Sequence, residues 1–141
     1  MPETTPYRIL VTGSRDWTDI DSVWLGLGDA VGAIHRDAIH REIVIVHGAC
    51  PTGADQIADE WARKYGATIE RHKAEDHGPW PRCGPIRNRH MVSLGADICL
   101  AFIGPCASPR CRRPGPHPSH GASGCADLAE AAGIPVRRFT A

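Results

Sequence analysis

The chain carries no net charge: 16 Lys and Arg balance 16 Asp and Glu over 141 residues. That balance excludes a strongly basic nucleic-acid binder and an acidic solubilising tail as descriptions of the whole chain. Long apolar runs are also missing. The longest have only a handful of residues, against the ~20 that span a bilayer, so no transmembrane helix and no membrane partner are expected. Met1 to Pro6 shows no basic-then-apolar signal pattern, which points to a cytoplasmic protein. No internal repeat is visible, and no Gly-Lys-Ser/Thr follows any glycine-rich turn, so Walker-type ATP hydrolysis is not supported. What is present is a hydrophobic content of 42%, enough for one core at a length of one domain, here taken as residues 1–141.

Three short runs, Ile9-Leu10-Val11, Ile43 to Val46 and Ile98 to Ile103, do not alternate apolar with polar. Continuous runs of this kind mark strands covered on both faces, hence a parallel sheet. Ala67 to His72 and Val136 to Phe139 are more polar and read as edge strands. Helical periodicity fills the gaps. From Ala54 to Tyr65, residues Ala54, Ile57, Ala58, Trp61, Ala62 and Tyr65 share one face, and Gln56, Asp59, Glu60, Arg63 and Lys64 share the other. Ile20 to Ile34 gives a helix with Gly26, Gly28 and Gly32 inside it, each costing about 1 kcal/mol and calling for close packing in return. Pro85 suits the first turn of a third helix, and Cys125 to Ala132 forms a fourth. Strand and helix alternate four times before a last strand. The fold class is therefore α/β, a Rossmann-like, doubly wound, mainly parallel five-stranded sheet. Ligands of such sheets bind beyond the carboxyl ends of the strands, which singles out loops 13–18, 47–54, 73–85 and 104–124.

The first of these holds Gly13, Ser14 and Arg15: a sharp turn, hydrogen-bond donors for phosphate and a cation. Asp16 or Thr18 is equally readable as a helix cap. The second, His47-Gly48-Ala49-Cys50-Pro51-Thr52-Gly53-Ala54-Asp55, is small, glycine-rich and leads into the best helix, a place for an anion or a ribose. Asp55 there either complements the helix dipole or fixes a ligand hydroxyl. Arg87 and Asn88 open the third helix, Arg87 offering a two-pronged bond to phosphate, with Arg89 and His90 as surface residues. Gly121, Ser123 and Gly124 make a second phosphate cradle ahead of the fourth helix. The intended ligand set places phosphate on Gly13 to Arg15, Gly121 to Gly124 and Arg87, and base or ribose on His47, Asp55 and Asn88. Trp80 either stacks on a base or is buried under its loop.

Several of these motifs together resemble the YspA/YpsA-related branch of the SLOG superfamily. The resemblance rests on Val11-Thr12-Gly13-Ser14-Arg15-Asp16-Trp17, on His47-Gly48-Ala49 with Gly53-Ala54-Asp55, on Gly84-Pro85-Ile86-Arg87-Asn88-Arg89 with Met91, and on Ala132-Gly133-Ile134-Pro135-Val136. It covers roughly residues 7–139 and implies a Rossmann-like domain that binds a nucleotide or nucleotide-derived ligand as sensor, carrier or sequestering module. It also implies an actinobacterial or phage source, and a homo-oligomer as one option. Distant relatives include the "lonely guy" phosphoribohydrolases and the DNA-processing protein DprA. In the hydrolases a Pro-Gly-Gly-x-Gly-Thr-x-x-Glu motif supplies a catalytic glutamate. Here Gly121 to Cys125 occupies the glycine positions and Leu128 falls where the glutamate belongs. That replacement leaves enzymatic activity open and catalytic residues unassigned, with Asp55 or Asp127 as substitutes.

Residues 104–120 form an insertion with five prolines, Pro105, Pro109, Pro114, Pro116 and Pro118. Cys106, Cys111, His117 and His120 lie within it, a ligand set suited to a tetrahedral structural zinc. Cys83 and Cys125 are alternative ligands, and a loop with free thiols is the plainer reading. Between residues 77 and 126 the acid Asp97 stands against Arg82, Arg87, Arg89, Arg110, Arg112 and Arg113. This suits a polyanionic small molecule, with a nucleic-acid contact as the less favoured alternative.

Overall fold

In the computed structural model, which describes residues 5–35, 41–106, 111–115 and 117–140, the three apolar runs become the centre of one parallel sheet. Pro109, Arg110 and Pro116 of the insertion lie outside the described residues. The strands are β1 (Tyr7–Gly13), β2 (Ile43–His47), β3 (Thr68–Arg71), β4 (Ile98–Ile103) and β5 (Val136–Thr140). The helices are α1 (Ile20–His35), α2 (Gly53–Tyr65), α3 (Cys83–Ser93) and α4 (His120–Ala131), with a 3-10 turn at Ala74–His77. The sheet order is β3-β2-β1-β4-β5, every pairing parallel. The chain winds outward from β1 to β3, then restarts on the other side of β1 with β4. The switch point therefore falls between the carboxyl ends of β1 and β4.

Strand side chains alternate between faces, and both faces are covered. Ile9, Val11, Ile45, Leu100 and Phe102 pack under α1 and α2 with Val23, Leu27, Ile57 and Trp61. Leu10, Val44, Val46 and Cys99 meet Met91, Cys125, Ala129 and Ile134 on the other face. Two-sided cover is why these strands read as unbroken apolar runs, while β3 and β5 stand at the edges as their polarity predicts.

The helix glycines divide. A Cβ on Gly26 would sit 3.1 Å from the Phe139 ring, which stacks on Phe102 at 4.6 Å between centroids, so Gly26 makes room for an aromatic pair. Gly28 and Gly32 face open space, and close packing does not offset them. Helix α4 begins at His120, five residues before the expected start, so Gly121, Ser123 and Gly124 are helical residues and not a preceding bend. The reason lies in the insertion. Pro105 and Pro118 form an antiparallel bridge, with Cys106 N–H donating to His117 O at 2.7 Å and Ser119 N–H to Gly104 O at 2.8 Å. This stem delivers Ser119 to the sheet edge already oriented, and Ser123 N–H donates back to Ser119 O to close the first turn.

Candidate functional site

Ser14 sits at the switch point and ties its two strands together. Its amide donates to Phe102 O at 3.0 Å, and its Oγ accepts from Gly104 N–H at 2.8 Å. The start of α2 is pressed against the same turn. A Cβ on Gly13 would lie 2.3 Å from that of Ala54, and one on Gly53 would lie 2.2 Å from Ser14 O. Gly53 also has φ +75°, a conformation costly for any residue with a Cβ. Gly13 and Gly53 thus act by letting two backbones approach, and neither lines the cavity described next.

A cavity of about 640 Å³ opens at this point. Ser14, Arg15 and Asp16 from the β1 turn, Gly48 and Asp55 from the β2–α2 region, and Arg87, Asn88 and Met91 from α3 form one side. Trp80 and Pro81 form the rim, and Pro105, Cys106, Ser119, His120 and Gly121 the outer wall. The volume is ordinary for a small-molecule site. Of the residues expected to bind a ligand, Ser14, Arg15, Gly48, Asp55, Arg87, Asn88 and Gly121 come together here.

His47 does not. It is 2% exposed and wholly engaged: Ala49 N–H donates to Nδ1 at 2.9 Å, so Nε2 carries the proton and donates to Asp59 Oδ1 at 2.8 Å. His47 therefore holds the shape of the 48–50 turn, in which Ala49 adopts φ +59°. Ser123 and Gly124 are also absent from the lining, having been carried into the body of α4.

Asp59, expected on the solvent face of α2, is buried instead. Arg71 grips it through Nε at 2.8 Å and Nη2 at 3.1 Å, and Arg63 adds an i,i+4 pair at 3.0 Å. Burial pushes its carboxyl up, but the bonds from Arg71 and His47 outweigh that and leave its pKa lowered. The sequence signal was the four-residue step from Asp55, which puts both carboxylates on one side of the helix.

Asp55 has the opposite character. It is 7% exposed, lines the cavity and forms no ion pair among the described residues. Burial drives its pKa up; His47, the Cys50 and Gly48 amides and Arg87 oppose this without reversing it. Arg87 is less available than its position suggested. Nη1 donates to Gly48 O at 2.6 Å and to His72 O at 3.4 Å, and Nε donates to Asn88 Oδ1 at 2.7 Å. Two of its three nitrogens brace the cavity wall, so a two-pronged grip on phosphate would break these bonds. Arg15 is less encumbered: it is exposed and lies over the Trp80 ring at 5.5 Å. Trp80 itself is 58% exposed at the rim, not buried.

Asp127 is on the outer surface, bonded to Arg138 at 3.0 Å, and lines no part of the cavity. The cysteines separate too. Cys99 and Cys125 are fully buried, and burial pushes the Cys99 thiol up to about 12. Cys106, Cys111, His117 and His120 instead gather with one ligand atom each, all within 4.8 Å of one another, and neither Cys83 nor Cys125 belongs to the group.

A relative by sequence is the Gene 61 protein of Mycobacterium phage D29, 39% identical over 137 residues, which cover 94% of this chain and 95% of that protein. No solved structure matches significantly. No helix among the described residues is long and apolar enough to cross a membrane. The family profile described as "YspA, cpYpsA-related SLOG family" matches residues 7–77, which carry β1, β2, α2 and the cavity residues Ser14, Arg15, Asp16, Gly48 and Asp55. With half of its length matched, the chain belongs to the YspA, cpYpsA-related SLOG family.

Proposed function

We propose that the chain binds a nucleotide or nucleotide-derived small molecule in the cavity at the β1/β4 switch point, as a sensor, carrier or sequestering module. One observation carries the reading: a single cavity at the switch point is lined by a buried carboxylate, Asp55, by the guanidinium of Arg15 and by an exposed aromatic ring, Trp80, over which that guanidinium lies at 5.5 Å. Phosphate belongs with the Ser14–Arg15 turn and the first amides of α4, where a helix N-terminus favours an anion. The Asp55 carboxylate accepts ribose hydroxyls, with Asn88 beside it. The base lies along Trp80 and Pro81. Arg87 holds Gly48 and Asn88 in place.

The test is calorimetric titration with AMP, ADP, cyclic nucleotides and ADP-ribose, followed by Trp fluorescence. Trp17 and Trp61 are 6% and 7% exposed, so a base on Trp80 changes the signal of the one tryptophan at the rim. Trp80→Leu should bind more weakly and lose the change. If no member of the panel binds, the reading fails.

A second reading, a hydrolase of the phosphoribohydrolase type, is favoured by Asp55. A desolvated carboxylate with a raised pKa facing a cavity is a general acid/base by character. Release of free base from a nucleoside monophosphate, lost in Asp55→Asn, separates turnover from binding.

The Cys106, Cys111, His117 and His120 group is read as a structural zinc site. Two thiolates and two imidazoles make a closed tetrahedral set, and a proline-rich insertion has no core of its own to keep them together.

A further inference from the structure

The four metal-capable side chains are not equivalent with respect to the cavity. Cys106 and His120 line it, whereas Cys111 and His117 stand behind them. A bond network among the four would therefore fix part of the cavity wall from outside.

Hydrogen bonding alone does not satisfy this group. Cys111 Sγ, His117 Nε2 and His120 Nε2 form a triangle with sides of 3.2, 3.3 and 3.2 Å. His117 Nδ1 lies 2.9 Å from Gly115 O and must carry a proton to donate to it, which leaves Nε2 as a bare lone pair. Only the thiol and His120 Nε2 then have protons for the three sides, so one close contact stays unsatisfied. A zinc ion satisfies all three atoms and Cys106 together. Bond lengths of about 2.3 Å to sulfur and 2.0–2.1 Å to nitrogen imply tetrahedral edges of about 3.3–3.6 Å, near those of the triangle. Donation of the second ring nitrogen to a backbone carbonyl is also how metal-bound histidines are usually oriented.

Without a metal, the outer wall hangs on little. Among the described residues the stem is one isolated bridge with two backbone hydrogen bonds, and its bridging residues, Pro105 and Pro118, have no N–H to give. Yet that stem sets Ser119, His120 and Gly121, which are cavity lining and the first turn of α4. We infer that zinc held by Cys106, Cys111, His117 and His120 fixes the outer wall of the ligand cavity, so that affinity for the nucleotide-derived ligand depends on metal occupancy. The inference rests on the ligand reading and adds a control to it. Its basis is a population argument: when only a fraction of molecules has the wall in place, apparent affinity falls by that fraction. By reciprocity, bound ligand tightens zinc by the same factor.

The experiment uses the full chain, purified under reductant, and the probes AMP and ADP-ribose. Native mass spectrometry should find one zinc per chain. Cobalt substituted for zinc should give the visible bands of a tetrahedral thiolate site. Chelation should weaken probe binding by about tenfold, with far-UV circular dichroism unchanged, and added zinc should restore it. Cys111→Ser and His117→Asn, which leave the cavity lining intact, should bind the probes as the chelated protein does and no longer respond to zinc. If the chain retains no zinc and cobalt gives no thiolate bands, the metal site is wrong. Equal probe affinity with and without bound zinc overturns the coupling alone. If zinc binds and neither probe binds either form, the ligand reading fails and takes this inference with it.

Discussion

The two walls of the cavity are built on different principles. The inner wall, from β1, β2 and α2, is locked into the core. Ser14, directly after β1, is bonded twice to the end of β4, Gly53 lies against Ser14 O, and Asp59 anchors His47 beneath the 48–50 turn. The outer wall, from the insertion to the start of α4, packs on the sheet only where Ala122 meets Ala101 and Ile103; ahead of that, among the described residues, stand a two-bond stem and a Cys/His group. The β1, β2 and α2 parts of the cavity lie inside the matched family region, residues 7–77, and α3 and the outer wall lie beyond it. The contrast teaches that a shape held by packing needs no ligand or ion to exist, whereas a shape held by a few polar contacts is open to control.

The sharpest way to break this contrast is to loosen the inner wall. Gly53→Ala puts a Cβ 2.2 Å from Ser14 O and 2.7 Å from Arg15 O, at φ +75°. Neither obstacle is a flexible side chain. The substitution should cost about 3 kcal/mol or more in urea unfolding. It should also abolish probe binding, because α2 and the Ser14 turn have to separate. A variant of native stability would show that the inner wall is not locked.

Asp55→Asn tests whether that wall carries function at the expense of stability. A raised carboxyl pKa means that the folded state prefers the proton, so the wild type loses stability as pH rises through the raised value. The Asn variant should lack that loss and unfold at higher urea near neutral pH, while its ligand affinity falls about tenfold or more from the missing charged acceptor. Equal affinity would remove Asp55 from the site.

Much of the inner wall was legible in the residues. The apolar runs gave the strands, and glycines following them marked the turns, because backbone approach at a strand end needs the absence of a Cβ. The roles of His47 and Asp59 were not legible. A histidine beside glycines looks like a ligand contact, and only the folded chain pairs it with Asp59, itself gripped by Arg71 from an edge strand. The α4 start is not legible, because Gly121 and Gly124 suggest a bend and the competing force, a stem linking Gly104 to Ser119, joins residues fifteen apart through a segment with no helical or strand periodicity. Cys106, Cys111, His117 and His120 were legible because soft ligands in a coreless loop are informative by composition alone.

A smaller effect sharpens the comparison away from the cavity. Arg8 on β1 holds Glu70 on β3 through two bonds of 2.9 Å, and His72 adds a third contact at 2.7 Å. The Arg8 bonds, aided by His72 and opposed by burial, draw the Glu70 carboxyl from 4.5 to about 2. A depressed pKa contributes stability that is complete above the ordinary value and is lost as pH falls from 4.5 toward about 2. Urea midpoints measured across that window should fall more steeply for the wild type than for Glu70→Gln. Parallel slopes would mean that the pair does not tie β1 to β3.

The smallest effect is expected at Asp127, and its smallness is informative. Asp127 is next to Leu128, the position at which phosphoribohydrolases carry their glutamate, so sequence alone makes it a candidate. Its carboxylate is 75% exposed and turned to Arg138, on the far side of α4 from the cavity. Leu128 itself is 38% exposed and lines no part of the cavity, so neither position reaches it. Asp127→Asn should change stability by no more than about 0.5 kcal/mol and leave probe binding unaltered. Any base-releasing activity of the wild type should survive in it and vanish in Asp55→Asn. The reverse pattern would mean that α4 turns when ligand binds, and the outer wall would then be the chemical wall.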